Sequence, residues 1–473
     1  MAFYIYILLG LLIVALELRR HRAGNPIDAM TVFNCSYFVL FVFVPINVIW
    51  LGADVLRQQY AYETFGEGDT DTALSLFLCY LLFCLGYWVK SPNRSESAVH
   101  DGRNYFPVKS SVRVAKIIFF LGVLTTVIYV IQIGGVFEAI AKASEVRSGE
   151  LVIESKYIGY RHFAQFSADA LVLFFAVIVG KNARKANITK RDKVFLLCAF
   201  VFFVFYALST GGRRPFIYPV ILGFLVYTSV GGRVKKVALP ALALIFVIAG
   251  LGATVSAIGS VDNLPELVEL SRNDENASWL ALFELAYDNA SQGLADSFIH
   301  FVGAQNAKLW QFGFLTDIVN LPRDFFPSQL LGFERSREMS QEVTEFFLGR
   351  ALDDGMSGEE TLGLHGYFLV NFGYVGMFAL FFLLGLFYKW IHVRLKPAEP
   401  KDAVGWLVYW WAALAFFVYL REGALIFVFK QQLTWWVTIA LLWHFRSKRS
   451  EGLRPSYAID CIGSVSTKQV GQT

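Results

Sequence analysis

The 473-residue chain predicts an all-α fold, a polytopic integral membrane protein with about 11 transmembrane helices and one long, partly helical external loop. Three observations predict it. Hydrophobic residues make up 56% of the chain and charged residues 17%, with a mean hydropathy of +0.49, a balance that excludes an ordinary soluble domain. Apolar runs recur along the whole length. Lysine and arginine gather in alternate loops between those runs.

The runs fall at 2–18, 32–51, 71–89, 114–134, 167–180, 194–210, 215–230, 237–259, 367–391, 403–420 and 424–445. A span needs roughly 20 mostly apolar residues. Within lipid each backbone polar group must be satisfied inside its own element, so each run is expected to be a helix. The first run has no basic leader and no small-residue cleavage site, which makes it a retained span rather than a signal peptide. The runs at 167–180 and 215–230 are short, so their ends are soft.

The charged loops give an orientation. One set carries Arg19, Arg20 and Arg22; Lys90, Arg94, Arg103, Lys109 and Arg113; six residues from Lys181 to Lys193; and Arg233, Lys235 and Lys236. It continues with Lys389, Arg394, Lys396 and Lys401, then Arg446, Lys448, Arg449 and Arg454, for 25 in all. The short loops between hold eight: Arg57, Lys142, Arg147, Lys156, Arg161, Arg213, Arg214 and Arg421. The positive-inside rule then places the C-terminus in the cytoplasm and the N-terminus outside. The net charge of +4 is this topological signal and implies no nucleic-acid partner.

Four units follow. Residues 1–259 carry spans one to eight, 260–363 form the large external loop, 364–445 carry spans nine to eleven, and 446–473 form a polar cytoplasmic tail. In the loop, Trp279, Leu282, Phe283, Ala286 and Tyr287 fall at helical spacing, with Phe298 and Phe301 extending the apolar face. Met339, Val343, Phe346 and Phe347 mark a second amphipathic stretch. Such helices can pack on each other, lie on the bilayer surface or pack on the membrane core. Cys35, Cys79, Cys84 and Cys198 lie in predicted spans and Cys461 in the tail, so no disulfide framework is expected.

Candidate chemistry lies at the outer turns. Thr210-Gly211-Gly212-Arg213-Arg214-Pro215 and Arg421-Glu422-Gly423 are tight, and their arginines stand on the side that the orientation rule depletes. Arginine presents a planar fork of donors that grips phosphate oxygens and keeps its charge. Snorkelling toward headgroups is the plain structural alternative. Lys430 lies inside the last run, where an ionisable residue is costly and usually faces a partner or a polar cavity. His365, placed before Gly366-Tyr367 where the loop meets the membrane, is a candidate general base near pH 7. Glu422 is its competitor, and packing beside Tyr367 is the structural alternative. No HExxH or carboxylate-rich spacing marks a metal site, and no cofactor motif occurs.

Four segments occur in order: an Arg-bearing outer turn before a span, Leu321-Pro322-Arg323-Asp324-Phe325-Phe326-Pro327, Asn371-Phe372-Gly373-Tyr374-Val375-Gly376, and Leu420-Arg421-Glu422-Gly423. In them the chain, from about residue 200 to 445, resembles the O-antigen and oligosaccharide repeat-unit polymerases, the Wzy-type proteins of bacterial inner membranes. The first half resembles them only in being polytopic. The resemblance implies a GT-C-like arrangement and a metal-independent glycosyltransferase. It would join repeat units carried on undecaprenyl pyrophosphate at the periplasmic face, beside membrane lipids, a flippase and a chain-length regulator. Arg213, Arg214, Arg323 and Arg421 would then bind the pyrophosphate, where preorganised donors stabilise the departing charge. His365 or Glu422 would take the acceptor proton. A ligase of the same fold and a flippase of lipid-linked oligosaccharide are the alternative functions.

Overall fold

The computed structural model describes residues 1–22, 27–51, 70–89, 106–142, 160, 163–209, 214–232, 298–309, 362–397, 399–423 and 432–447. Their regular elements are helical. In chain order these are α1 (Ala2–Arg22), α2 (Ala29–Phe38), a π-helical segment (Val39–Phe43) and α3 (Val44–Leu51). Next come α4 (Thr70–Trp88), α5 (Val108–Ile133), α6 (Val136–Ala141), α7 (Phe166–Ala183), α8 (Lys190–Ser209) and α9 (Arg214–Ser229). A short helix α10 covers 298–306, followed by α11 (Gly363–Leu395), α12 (Ala403–Glu422) and α13 (Leu433–Ser447).

Among the described residues, eight helices are long and apolar enough to cross a membrane, with α2 to α3 counting as one. They match the expected spans one to six, nine and ten. The seventh expected span is the shorter helix α9. The eighth lies outside the described residues, as do residues 424–431 of the eleventh, whose remainder is α13.

Local chemistry fixes several ends. Asp28 caps α2 by accepting from the Thr31 amide at 3.2 Å, and Thr31 Oγ1 accepts in return from the Asp28 amide at 3.4 Å, a reciprocal cap that satisfies two otherwise orphan donors. Asp402 caps α12 by accepting from the Gly405 amide at 3.0 Å. Its other oxygen accepts from the Phe106 amide at 3.2 Å, so one carboxylate ties the start of α12 to the approach to α5. Pro45 explains the π segment. It has no N–H for the Phe41 carbonyl four residues back, and the ladder widens so that the Val44 amide bonds the Val39 carbonyl instead.

Near the junction of α1 and α2 a polar network takes the place of apolar packing. Arg20 donates to Glu17 at 2.5 Å and to both oxygens of Asp28 at 2.5 Å. Glu17 also accepts from Asn34 at 2.5 Å, and Tyr80 of α4 donates to Asn34 at 3.0 Å. Arg20, read from sequence as a topology marker, is therefore also a bundle contact. Other basic residues also make contacts within the bundle: Arg184 pairs with Glu399 at 3.2 Å, and Arg446 stands over the Phe106 ring at 5.7 Å.

The core sits between α4 and α11. They cross so closely that a Cβ on Gly86 would strike the Phe382 carbonyl, and one on Gly385 the Phe83 carbonyl. Small residues permit such backbone approach, the usual way helices gain packing contact where lipid offers no hydrophobic drive. Helix α10, from the middle of the predicted external loop, is enclosed: residues 298–305 are all buried. Tyr6 meets Phe298 edge-on at 6.1 Å. Gln305 accepts from Thr72 at 2.6 Å and donates to Tyr374 at 3.1 Å. Of the three placements open to the loop's amphipathic segments, this one packs on the membrane core.

Candidate active site

Residues 367–391 read from sequence as a single span, and in the structure they belong to the helical run 363–395. The structure folds them into a hairpin. Gly373 has φ +64° and ψ −175°, non-helical values inside the helical run. The rings of His365 and Phe381 stack 4.4 Å apart, and Phe368 meets Phe381 at 5.8 Å. In a straight helix, residues 365 and 381 would stand about 24 Å apart. A short arm, 363–372, therefore lies back against a long arm, 374–395. The Asn371-Phe372-Gly373-Tyr374 motif is the apex. Asn371 donates to the Tyr367 carbonyl at 2.8 Å, closing the short arm, and glycine supplies the backbone angles that a side chain disfavours.

The Arg421-Glu422-Gly423 turn packs against the short arm. It was expected at the outer boundary. Gly423, at φ +77°, sits against the start of the short arm, with the Gly363 carbonyl filling the space a Cβ would need. Counting along the long arm from the apex to Phe381 places this junction about 12 Å inside the hairpin's tip. Helix α12 reaches that level because it runs antiparallel to the long arm. Tyr409 of α12 bonds His392 at 2.8 Å, and Phe416 meets Tyr388 at 4.2 Å. At its end Arg421 Nη1 donates to Glu422 Oε1 at 3.2 Å, with Arg421 partly exposed and Glu422 buried.

His365 is not on an exposed boundary. It is fully buried in the first turn of the short arm. Phe381 stacks on its ring, and Phe41 at 4.3 Å, Tyr37 at 5.5 Å and Phe301 at 5.6 Å surround it. Its Nε2 lies 2.9 Å from the Tyr37 hydroxyl. The expected neighbour Tyr367 is buried nearby in sequence, but the hydrogen-bond partner comes from α2. Packing, rather than solvent, is what this imidazole meets.

The structure thus brings Arg421, Glu422 and the turn that bears His365 to one junction. Arg213, Arg323 and Lys430 lie outside the described residues, and of Arg214 only the backbone start of α9 is described. Among the described residues, no group of three or more His, Cys, Asp and Glu side chains stands together as metal ligands do.

One buried carboxylate was passed over in the sequence. Asp169, in the first turn of α7, is 1% exposed. Neither of its oxygens has a hydrogen bond within the described structure, and the Thr434 hydroxyl of α13 is the polar group facing it. The signal was available: Asp169 is a carboxylate inside the predicted span 167–180, where ionisable residues are rare and usually functional.

A family model for the O-antigen polysaccharide polymerase Wzy matches residues 1–256. The match covers the half of the chain in which the motif resemblance saw only a polytopic protein, so the family signal extends beyond the 200–445 motifs. No curated protein and no solved structure matches the chain. With more than half of its length matched, ending past the seventh predicted span, the chain belongs to the O-antigen polysaccharide polymerase Wzy family.

Proposed function

We propose that this multi-pass O-antigen polymerase joins repeat units carried on undecaprenyl pyrophosphate, at the periplasmic end of the bundle opposite the basic loops. In that reading a hydroxyl of the acceptor unit attacks the anomeric carbon of the growing chain. A new glycosidic C–O bond forms as the bond to the lipid pyrophosphate breaks, and the electron pair leaves on a phosphate oxygen. Arg421 stabilises that departing charge, because a guanidinium fork donates to two oxygens at once and acts most strongly where water is scarce. Glu422, held beside it, takes the acceptor proton. Arg213, Arg214 and Arg323 are assigned to the remainder of the pyrophosphate. The N-terminus lies in the periplasm and the C-terminus in the cytoplasm.

The observation that carries this reading is the Arg421–Glu422 pair, 3.2 Å apart, where α12 stops against Gly363. A cation for the leaving group and a carboxylate for the proton are the two groups that the transfer needs. The test is complementation of a polymerase-null strain, scored by polysaccharide ladders and by immunoblot of the protein. Arg421→Ala is expected to leave single repeat units at normal protein level, and Arg421→Lys to restore chains poorly, since it keeps the charge and loses the fork. Full activity of Arg421→Lys would overturn the bidentate role. The deletion phenotype separates the functions: single capped repeats for a polymerase, free lipid-linked polymer for a ligase, no surface repeats for a flippase.

A further inference from the structure

We infer that Tyr37 and His365 are positioning residues for the transfer reaction, their hydrogen bond setting the depth of the short arm and, through Gly363 and Gly423, the placement of Arg421. The inference rests on the assignment of Arg421 to the leaving group.

The proton inventory defines the bond. Tyr37 has one hydroxyl hydrogen, and it goes to the Leu76 carbonyl of α4 at 2.7 Å. The contact of 2.9 Å with His365 Nε2 therefore has the imidazole donating and the tyrosine oxygen accepting. Among the described residues the other ring nitrogen, Nδ1, has no hydrogen-bond partner, and it is shielded by the surrounding side chains. A ring so held donates one directed hydrogen bond and fills an aromatic seat. The seat is built from four separate elements: Tyr37 of α2, Phe41 of the π segment, Phe301 of α10 and Phe381 of the long arm. It fixes the short arm from all of them together.

Two residues before His365, the arm meets α12 backbone to backbone. The Gly363 carbonyl occupies the place of a Cβ on Gly423, so no flexible side chain lies between them to absorb a displacement. Sliding the arm by one residue moves Gly363 by about 1.5 Å. That movement passes to the turn carrying Arg421 and Glu422. Misplacement of a reacting group by about 1 Å can cost on the order of a hundredfold in rate.

The experiment uses the full-length protein in nanodiscs, with lipid-linked repeat units extracted from a polymerase-null strain. Tyr37→Phe, which removes the bonds to both Leu76 and His365, is expected to lower kcat roughly tenfold through loss of the His365 bond, with KM little changed. In an Arg421→Lys background the same substitution should cost much less, because the group being positioned is already impaired. An equal loss in both backgrounds, or full activity of Tyr37→Phe, overturns the inference. If Arg421→Lys is itself as active as the wild type, the assignment of Arg421 falls, and the inference falls with it. A second pair decides the matter should Tyr37→Phe reduce the yield of folded protein. His365→Gln can place an amide donor near the former Nε2, and His365→Asn cannot reach. Gln is expected to keep most of the activity and Asn to lose about as much as Tyr37→Phe. Loss of activity in both would mark His365 as a proton acceptor and refute the positioning role.

Discussion

Replacing Gly373 with alanine distinguishes a hairpin from a straight helix by the sign of the stability change. At φ +64° and ψ −175°, an L-residue is placed in a region that is essentially reserved for glycine, at a cost of about 1–3 kcal/mol. Among the described residues no atom beyond the chain neighbours lies within 4 Å of the added Cβ, so the cost is that of the backbone conformation. Were 363–395 one continuous helix, the same substitution would stabilise it by about 1 kcal/mol, the ordinary gain of alanine over glycine in a helix interior. The assay is unfolding of the purified protein in a fixed detergent, followed by intrinsic tryptophan fluorescence at one scan rate, since large membrane proteins often unfold irreversibly. Destabilisation of Gly373→Ala is expected. A rise in stability would refute the fold-back, and with it the depth assigned to Arg421. An independent check is a cysteine pair at 368 and 381 in a cysteine-free background, which should crosslink rapidly in the hairpin.

Two further outcomes test buried acids. Burial pushes the Asp402 carboxyl up to about 6, against the pull of the Gly405 and Phe106 amides. Because the folded value lies above the unfolded 3.8, Asp402 contributes stability that is fully present below that value and is lost as pH rises through 6. The loss amounts to about 3 kcal/mol; Asp402→Asn, which still caps α12, should flatten the slope between pH 4 and 6. For Asp169, an apolar replacement of similar volume removes a buried carboxyl that, among the described residues, is faced by the Thr434 hydroxyl without a well-formed hydrogen bond. Asp169→Leu is therefore expected to stabilise the fold by about 1–3 kcal/mol, measured in the same unfolding assay. A loss of stability would show that its carboxyl has a partner, whereas a stabilised but inactive protein would identify a residue retained for function.

Much of the helical layout was legible because it depends on composition over long windows. Runs at 2–18, 71–89 and 403–420 became α1, α4 and α12, with α1 and α12 extended by a few residues past the apolar stretch and α4 shifted by one. The hairpin was not legible. Both arms are apolar, and hydropathy is blind to the one glycine that reverses the chain. The contact of the Arg421 turn with the short arm was hidden for a related reason: a tight turn between two apolar runs does not reveal which distant segment packs against it. His365 drew attention by its position in sequence, yet its environment comes from residues 37, 41, 301 and 381, which no local pattern joins. Asp169 was visible in the sequence but averaged away within an apolar window.

The enclosure of α10 bears on how the protein is made. Residues 298–305 contact α1 through Tyr6, α4 through Thr72 and α11 through Tyr374 and His365. Spans emerge from the ribosome in order, but this helix belongs to a segment that follows the first eight expected spans and precedes the ninth. Its seat is incomplete until α11 has been synthesised, because α11 supplies one wall. The site of the first helix pairs must therefore stay open until a late segment returns to close it. Closure of the core thus waits on α11, and it couples the first helix to the last third of the chain.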